Sequence, residues 1–208
     1  MGVIKIMEVG TLFVISGPSG SGKGTILNSV VNDEDVSLSI SATTRNPRNG
    51  EKDGVHYHFM TREKFLNEIA NNNMLEYNEY CGNLYGTLRS EVESLLAKGK
   101  DVILEIDVNG AKQIAKAMEC VRIFILPPSM HVLKNRLSLR GTETADALNN
   151  RINQAHNEIS GAYEYDYIVV NDELEDAVDN IRSILKVERL REDKMKFKID
   201  ELKKQGEF

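Results

Sequence analysis

The chain has 208 residues, of which 41% are hydrophobic and 28% charged, a balance typical of one globular domain with mobile parts. Its formal net charge is −6, which argues against a general nucleic-acid surface, because such a surface needs a positive excess or stripe. No apolar run approaches the roughly 20 residues that a membrane helix needs, and the first ten residues lack a long apolar secretory signal.

The first predicted elements are a strand, a glycine-rich loop and a helix. Residues 11–16 (TLFVIS) form an apolar run typical of a buried strand, and we expect a helix from the following loop to about Val31. In the loop 17–25 (GPSGSGKGT), glycines allow backbone N–H groups to converge on phosphate oxygens beside the helix N-terminus. Lys23 would reach the β- and γ-phosphates. The loop therefore predicts a nucleoside triphosphate site, with ATP and Mg²⁺ as the expected ligands.

This loop departs from the usual phosphate-loop pattern at one position. The pattern has Ser or Thr directly after the lysine, whereas this chain has Gly24 followed by Thr25, so that either Thr25 or water could bind Mg²⁺. The loop alone does not say whether water or another group receives the phosphoryl group. The ATP-binding residues predicted from it are Gly17, Pro18, Ser19, Gly20, Ser21, Gly22, Lys23, Gly24 and Thr25.

The segment 42–94 is predicted to be an insertion that covers one edge of the site, because short strands and turns replace the alternation of strands and helices. From residue 36 onward we expect a strand at 36–41, a turn region at 43–54, a strand at 55–59, a helix at 61–72 with Thr61 as its N-cap, a hairpin over 74–87 and a helix from 89 that ends at Gly99. Arg45 and Arg48 lie three apart in the turn region and could converge on one phosphate, with Tyr57 donating its hydroxyl. The alternative is a surface turn with two solvated arginines.

Strands and long helices alternate again in the second half of the chain. We expect strands at 101–107, 121–126 and 165–170, helices at 109–120, 129–140 and 144–160, and one charged helix from Glu173 to about Lys204. This alternation predicts an α/β fold with a parallel sheet. The charged helix could form a dimer contact or a solvated face, so monomer and homo-oligomer both stay open.

The chain resembles the guanylate kinase family from about Gly10 to the helix that begins at Glu173. The motifs that carry the resemblance are GPSGSGK, TTRNPRNGEKDGVHY, GNLYGT, EIDVNGA, IFILPPS, RGTET and YIVVND. The resemblance implies a P-loop parallel-sheet core flanked by helices (1–41, 95–129 and 160–208), a GMP-binding insertion of short strands (42–94) and a helical lid (130–159). It implies reversible transfer of the γ-phosphoryl group of ATP to GMP, and to dGMP, giving ADP and GDP for guanine nucleotide synthesis and recycling.

The same resemblance assigns residues to each part of the site. The GMP-binding residues that it implies are Ser41, Arg45, Arg48, Tyr57, Glu76, Tyr85, Thr87, Glu105 and Asp107. The residues expected to stabilise charge in catalysis are Lys23, Arg45, Arg136, Arg140 and Arg151, and Asn171 is expected on the adenine side. Where the family usually has Asp, this chain has Glu105, a longer carboxylate that could order magnesium-bound water or Lys23.

Glu76 is expected to determine the choice of base. Its carboxylate could accept from N1–H and the 2-amino group of guanine, with Asp107 as a second acceptor and Ser41 donating to O6. Adenine has a lone pair at N1 and no 2-amino group, and a site built to bond a polar edge rejects such an analogue. The alternative is that Glu76 points to solvent, because the stretch MLEYNEY alternates like an edge strand.

Two other functions remain open at this stage. The tetrapeptide GKGT at 22–25 resembles adenylate kinases, which allows a kinase for AMP or a pyrimidine nucleotide. Guanylate-kinase-like domains of scaffold proteins bind peptides instead, but such modules usually have an impaired phosphate loop.

A metal site at His56 and His58 has little support. Cys81 and Cys120 fit no C-x-x-C spacing, so we expect free thiols and a cytoplasmic location.

Overall fold

The structure is a computed structural model that describes residues 9–31, 35–138, 145–204 and 206, with the backbone alone at 145–147. In chain order its strands are β1 Leu12–Ser16, β2 Val36–Leu38, β3 Ala42–Thr43, β4 His58–Phe59, β5 Met74–Tyr80, β6 Asn83–Leu88, β7 Asp101–Glu105, β8 Val121–Leu126 and β9 Tyr167–Val170. The α-helices are α1 Lys23–Val30, α2 Arg62–Ala70, α3 Arg89–Ala97, α4 Val108–Ala117, α5 Met130–Ser138, α6 Ala145–Ser160, α7 Leu174–Glu188 and α8 Glu192–Lys204, and a 3₁₀ helix spans Gly161–Glu164.

The main sheet is parallel and has the strand order β2-β7-β1-β8-β9, as the alternation of strands and helices predicts. Helices cover both of its faces, so the central strand β1 is apolar at every position before Ser16. Successive β1 residues point to opposite faces. Phe13 and Ile15 pack with α1 and α7 on one face, whereas Leu12 and Val14 pack with α3 and α4 on the other.

A second sheet, with the order β4-β3-β6-β5, is formed by the segment predicted to be an insertion. The predicted hairpin is confirmed as β5 and β6, which are joined by Cys81 and Gly82. Both of these residues have positive φ (48° and 75°), the conformation that two-residue hairpin loops favour. A small core of Ala42, Phe65, Met74 and Leu84 holds this sheet together with α2.

Several predicted elements are longer than the observed ones. The strands expected at 36–41, 55–59, 101–107 and 165–170 are confined to Val36–Leu38, His58–Phe59, Asp101–Glu105 and Tyr167–Val170. The third of these strands ends early because Asp107 caps α4. The N-cap predicted for α2 is confirmed, since Thr61 Oγ1 accepts the backbone N–H of Lys64 at 3.2 Å.

The single C-terminal helix predicted from Glu173 to Lys204 is wrong, because the helix is interrupted between Glu188 and Glu192. Tertiary contacts hold this junction against the amino-terminal ends of the strands. Arg189 Nε donates to the buried Asp101 carboxylate at 2.6 Å, and the buried Glu188 carboxylate accepts the Tyr167 hydroxyl. Within the described residues no helix combines the length and the apolar character needed to cross a membrane.

Candidate active site

The phosphate loop joins the end of β1 to α1 at the carboxyl-terminal edge of the main sheet. The residue before the helix, Gly22, has φ 92° and offers no side-chain cap, so the first backbone N–H groups of α1 stay available to an anion. A Cβ at Gly22 would lie 2.2 Å from Asn171 Nδ2, so only glycine fits. Among the described residues, no atom lies within 4 Å of the Cβ position of Gly24, so the departure from the usual pattern leaves open space there.

Lys23 lies against the phosphate loop. Its Nζ donates to the carbonyl oxygen of Gly17 at 2.6 Å and to that of Pro18 at 3.3 Å, which holds the ammonium group against the loop. A cavity of about 410 Å³ adjoins it and is lined by loop residues together with Thr25, Asn28 and Glu105. That volume is within the range of small-molecule sites.

The oxygen atoms in this cavity fit Mg²⁺. The hydroxyl of Thr25 and the carboxylate of Glu105 both line the cavity and both are exposed. Mg²⁺ prefers oxygen ligands and keeps several waters, so one or two protein oxygens together with substrate phosphates satisfy it. No group of three or more His, Cys, Asp or Glu residues that could hold a metal is found in the described ranges, so phosphates and water would have to complete the shell.

Asn171, the residue predicted on the adenine side, lies directly behind the phosphate loop. It is buried, and its Nδ2 donates to the carbonyl oxygen of Ser21 at 2.7 Å, so the amide braces the loop from behind. Its backbone oxygen accepts both terminal nitrogens of Arg136 at 3.3 and 3.4 Å. A cavity of about 310 Å³ lies beside these residues and extends to Asp172 and Leu174. Asn171 therefore lines the cavity but also supports the loop.

Helix α6, in the segment expected to form a lid, contacts the phosphate loop directly. Arg151 Nη2 donates to Ser19 Oγ at 2.7 Å, which places one of the three predicted lid arginines on the loop. Arg140 and the RGTET motif lie outside the described residues.

Sequence reasoning missed Glu158 as a candidate site residue, seven residues after Arg151 on the same helix. Burial raises the pKa of Glu158 above its ordinary value, while the H-bond from Gln154 and the nearby charge of Lys23 oppose that rise.

Arg45 is held in a fixed orientation by an acidic residue that sequence reasoning missed. Its two terminal nitrogens each donate to one carboxylate oxygen of Glu51 at 2.9 Å. Glu51 also accepts the backbone N–H of Arg48 at 2.6 Å, and these donors, Arg45 foremost, lower the pKa of Glu51 to about 2. The side chain of Arg45 is 15% exposed, so the solvated-turn alternative is wrong for Arg45. Arg48 is exposed, and its contact with a phosphate stays a prediction. A carboxylate within a turn that carries two arginines is the signal that could have identified Glu51.

Aromatic rings surround the guanidinium of Arg45. Its central carbon lies 5.4 Å from the ring centroid of Tyr57 and 5.8 Å from that of Phe59. Tyr57 in turn lies 6.1 Å from Tyr85, edge to face. The structure therefore brings the predicted Arg45, Tyr57 and Tyr85 together at one end of the second sheet. Ser41 immediately precedes β3 of that sheet, and its carbonyl oxygen accepts the backbone N–H of His58 at 2.9 Å.

Glu76 is a buried carboxylate, 6% exposed, and the alternative that it points to solvent is wrong. It lies opposite Thr87 in the hairpin, and Thr87 Oγ1 donates to Glu76 Oε1 at 2.8 Å. The register of the pairing between β5 and β6 shifts between Met74 and Glu76. The strand therefore does not alternate simply between core and solvent, as the alternative for Glu76 assumed. Burial raises the pKa of Glu76 to about 7, with a further contribution from the charge of Asp107 and an opposing one from the Thr87 hydroxyl.

Asp107 links the second sheet to the core. Its Oδ1 accepts the backbone N–H of Gly110 at 2.8 Å as the N-cap of α4, and its Oδ2 accepts Asn78 Nδ2 at 3.1 Å. Glu76, which is buried, and Asp107, which is exposed, are the two carboxylates predicted to accept from the base. They lie close enough, where α4 meets β5, for the charge of Asp107 to act on Glu76.

Comparisons of the sequence and of the structure with known proteins all find the same family. The family model described as guanylate kinase matches residues 9–188. The guanylate kinase of Clostridium perfringens strain 13 is 51% identical over 203 residues, covering 94% of each chain, and that of Clostridium tetani is 50% identical over 191 residues, covering 91% and 92%. The crystal structure of guanylate kinase from Anaplasma phagocytophilum is similar with a TM-score of 0.70 and 36% identity, covering 88% of each chain.

Proposed function

The chain belongs to the guanylate kinase family, and from that premise we propose that it reversibly transfers the γ-phosphoryl group of ATP to GMP and to dGMP, giving ADP and GDP. The observation that carries the choice of acceptor is Glu76, a carboxylate that is buried although burial disfavours its charge. A buried acceptor of this kind needs a ligand that supplies donors. Guanine supplies two adjacent donors, N1–H and the 2-amino group, on one edge.

The base would lie between the two sheets, at the start of α4. Glu76 would accept from N1–H and the 2-amino group, and Asp107, whose charge influences that of Glu76, would add a second acceptor. Thr87 already occupies one oxygen of Glu76 and so fixes the carboxylate. Ser41, half-buried at the start of the second sheet, would donate to O6.

The phosphate of GMP would lie at Arg45, whose guanidinium is fixed by Glu51 and enclosed by aromatic rings. Tyr57 and Tyr85 would donate hydroxyl groups, and the exposed Arg48 would close on the phosphate from solvent. An arginine fork suits a phosphate with two acceptor oxygens, which a lysine ammonium group does not match.

The transfer step needs alignment and charge stabilisation rather than covalent catalysis. An oxygen of the GMP phosphate is already nucleophilic at neutral pH, and we therefore assign no general base. Lys23 and the lid residues Arg136 and Arg151 lie around the phosphate loop and would disperse negative charge on the phosphoryl group. Thr25 would hold Mg²⁺ with ATP, and Glu105 would order magnesium-bound water beside it. The ion would supply positive charge against the phosphates.

Each part of the chain would have its own role in the transfer. We assign the phosphate loop to a core (1–41, 95–129 and 160–208), the acceptor site to the insertion 42–94 and the exclusion of water to the lid 130–159. Such an enzyme would serve guanine nucleotide synthesis and recycling. The free thiols of Cys81 and Cys120 fit a reducing compartment such as the cytoplasm.

A coupled assay of ADP formation tests the proposal, with GMP, dGMP, AMP, CMP and UMP each offered in turn with ATP and Mg²⁺. We expect GMP to exceed AMP in kcat/KM by about 10⁴ or more, because AMP leaves the buried Glu76 carboxylate without its two donors. The Lys23→Ala variant, purified in parallel, controls for contaminating kinases. Faster turnover of AMP or a pyrimidine nucleotide would indicate another monophosphate kinase, and no ADP with any acceptor would indicate a binding module.

A further inference from the structure

The first turns of α4 carry three residues, spaced three apart, that face the strand bearing Glu76. Asp107 accepts the side-chain amide of Asn78 at 3.1 Å, and Gln113 bonds the backbone of Tyr77. Gly110 lies between them and is buried. The spacing places all three on one side of the helix. This side of α4 therefore lies along β5 from Glu76 to Asn78.

Gly110 leaves space for the carboxylate of Glu76. A Cβ at this position would lie 2.9 Å from Glu76 Oε2 and 3.4 Å from Glu76 Cδ. The backbone of Gly110 is helical, so its conformation does not require glycine. Alanine is the better helix residue, which means that glycine inside this helix has to be explained by close approach of a neighbour. The neighbour is Glu76, which already accepts the Thr87 hydroxyl through its other oxygen.

Gln113 fixes the backbone next to Glu76. Its Oε1 accepts the N–H of Tyr77 at 3.2 Å, and its Nε2 donates to the carbonyl oxygen of the same residue at 3.0 Å. Among the described strands, β5 lies at the edge of the second sheet, so no other described strand pairs with its outer N–H and C=O groups. The side-chain amide of Gln113 supplies that pairing and ties β5 to α4.

We propose that Gly110 and Gln113 are positioning residues for base selectivity: Gly110 provides the space into which Glu76 Oε2 fits, and Gln113 fixes the strand that carries Glu76. The inference rests on the proposed function, in which Glu76 reads guanine. Gly110 adjoins the Glu76 carboxylate and Gln113 bonds the backbone of Tyr77, so both residues would act through Glu76 rather than on the base or the phosphoryl group.

The experiment compares GMP and IMP, which lacks the 2-amino group, in steady-state kinetics of the wild type and of Gly110→Ala. A methyl group at Gly110 must displace Glu76, so we expect KM for GMP to rise about tenfold or more while KM for ATP stays within about twofold. KM for IMP should rise less, and the preference for GMP over IMP should fall. Lys116→Ala, at an exposed position on the same helix, is the matched control and should change none of these values.

A double variant separates positioning from a general effect on folding. In Gly110→Ala/Glu76→Asp the shorter carboxylate withdraws from the new methyl group. We therefore expect the loss in kcat/KM for GMP to be smaller than the product of the two single losses, by about threefold or more. Gln113→Leu, which removes both bonds to Tyr77, should raise KM for GMP without a matching change for ATP, and Gln113→Glu, which keeps the acceptor, should lie between wild type and Gln113→Leu.

The possible results distinguish this inference from its premise. If the wild type prefers GMP and Gly110→Ala keeps the same GMP-to-IMP ratio, or if the two single losses multiply, the inference is wrong while the proposed function stands. If the wild type shows no preference for GMP over IMP, then Glu76 does not read the 2-amino group and the inference fails with that premise, whereas a failure of the proposed function itself would show in the acceptor assay as faster turnover of AMP or a pyrimidine nucleotide.

Discussion

Burial of Glu76 should lower the stability of the protein at neutral pH, and Glu76→Gln should restore it. The carboxylate is 6% exposed, and burial raises its pKa from 4.5 to about 7. The folded state therefore binds the proton more tightly than the unfolded chain does. Stability falls as pH rises through the interval from about 4.5 to about 7, and above that interval the whole penalty is present.

The size of this penalty follows from the shift. A rise of about 2.5 pKa units at 1.36 kcal/mol per unit corresponds to about 3 kcal/mol. Glutamine keeps the oxygen that accepts the Thr87 hydroxyl and carries no charge. We therefore expect Glu76→Gln to exceed the wild type in free energy of unfolding by up to about 3 kcal/mol at pH 8, and to match it near pH 4.5.

Urea unfolding, followed by circular dichroism at half-unit steps from pH 4.5 to pH 8, measures this difference. The matched control is Glu79→Gln on the same strand, where the side chain is 50% exposed and pairs with Arg62, so its effect should stay below about 1 kcal/mol with little pH dependence. A Glu76→Gln variant that is less stable than the wild type at pH 8, with an unchanged pH profile, would refute the account of this buried charge.

Three further predictions concern the phosphates and motion. Lys23→Ala should reduce phosphoryl transfer by about 10²–10³ with the unfolding temperature unchanged, and more than about a tenth of wild-type turnover would count against its role. Arg45→Lys should raise KM for GMP far more than KM for ATP, because lysine loses the fork that Glu51 orients, and equal effects on both substrates would contradict the assignment. Glu51→Gln, which loosens the same fork, is a second variant for this prediction and should also raise KM for GMP more than KM for ATP. If the insertion 42–94 and the lid 130–159 close together, GMP with a non-hydrolysable ATP analogue should reduce the radius of gyration in small-angle scattering, and an unchanged value would indicate a rigid site.

Local features could be predicted from the sequence, whereas long-range contacts could not. The phosphate loop was predictable because its glycines, lysine and flanking strand are contiguous. The hairpin around Gly82 and the cap at Thr61 were predictable for the same reason. The interruption after Glu188 was not, since the Arg189 contact with Asp101 joins residues 88 positions apart.

The candidate site shows the same division. Resemblance placed Glu76 in the base site, but alternation alone allowed it to face solvent, because a shift in strand register is not visible in the sequence. Glu51 was missed because the turn also carries other charged residues, and only the folded turn shows that Glu51 is the one that pairs with Arg45. The space at Gly110 depends on the packing of α4 against β5, which no local pattern contains.

The most direct test of the account is the ratio of kcat/KM for GMP to that for IMP, measured for the wild type and for Glu76→Gln. The wild type should lose much of its kcat/KM when the 2-amino group is absent, because a buried acceptor is then left without a donor. In Glu76→Gln the ratio should fall sharply, with KM for ATP nearly unchanged, since glutamine offers N–H groups where an acceptor is needed. The same GMP-to-IMP ratio in both proteins would contradict the claim that Glu76 reads the base.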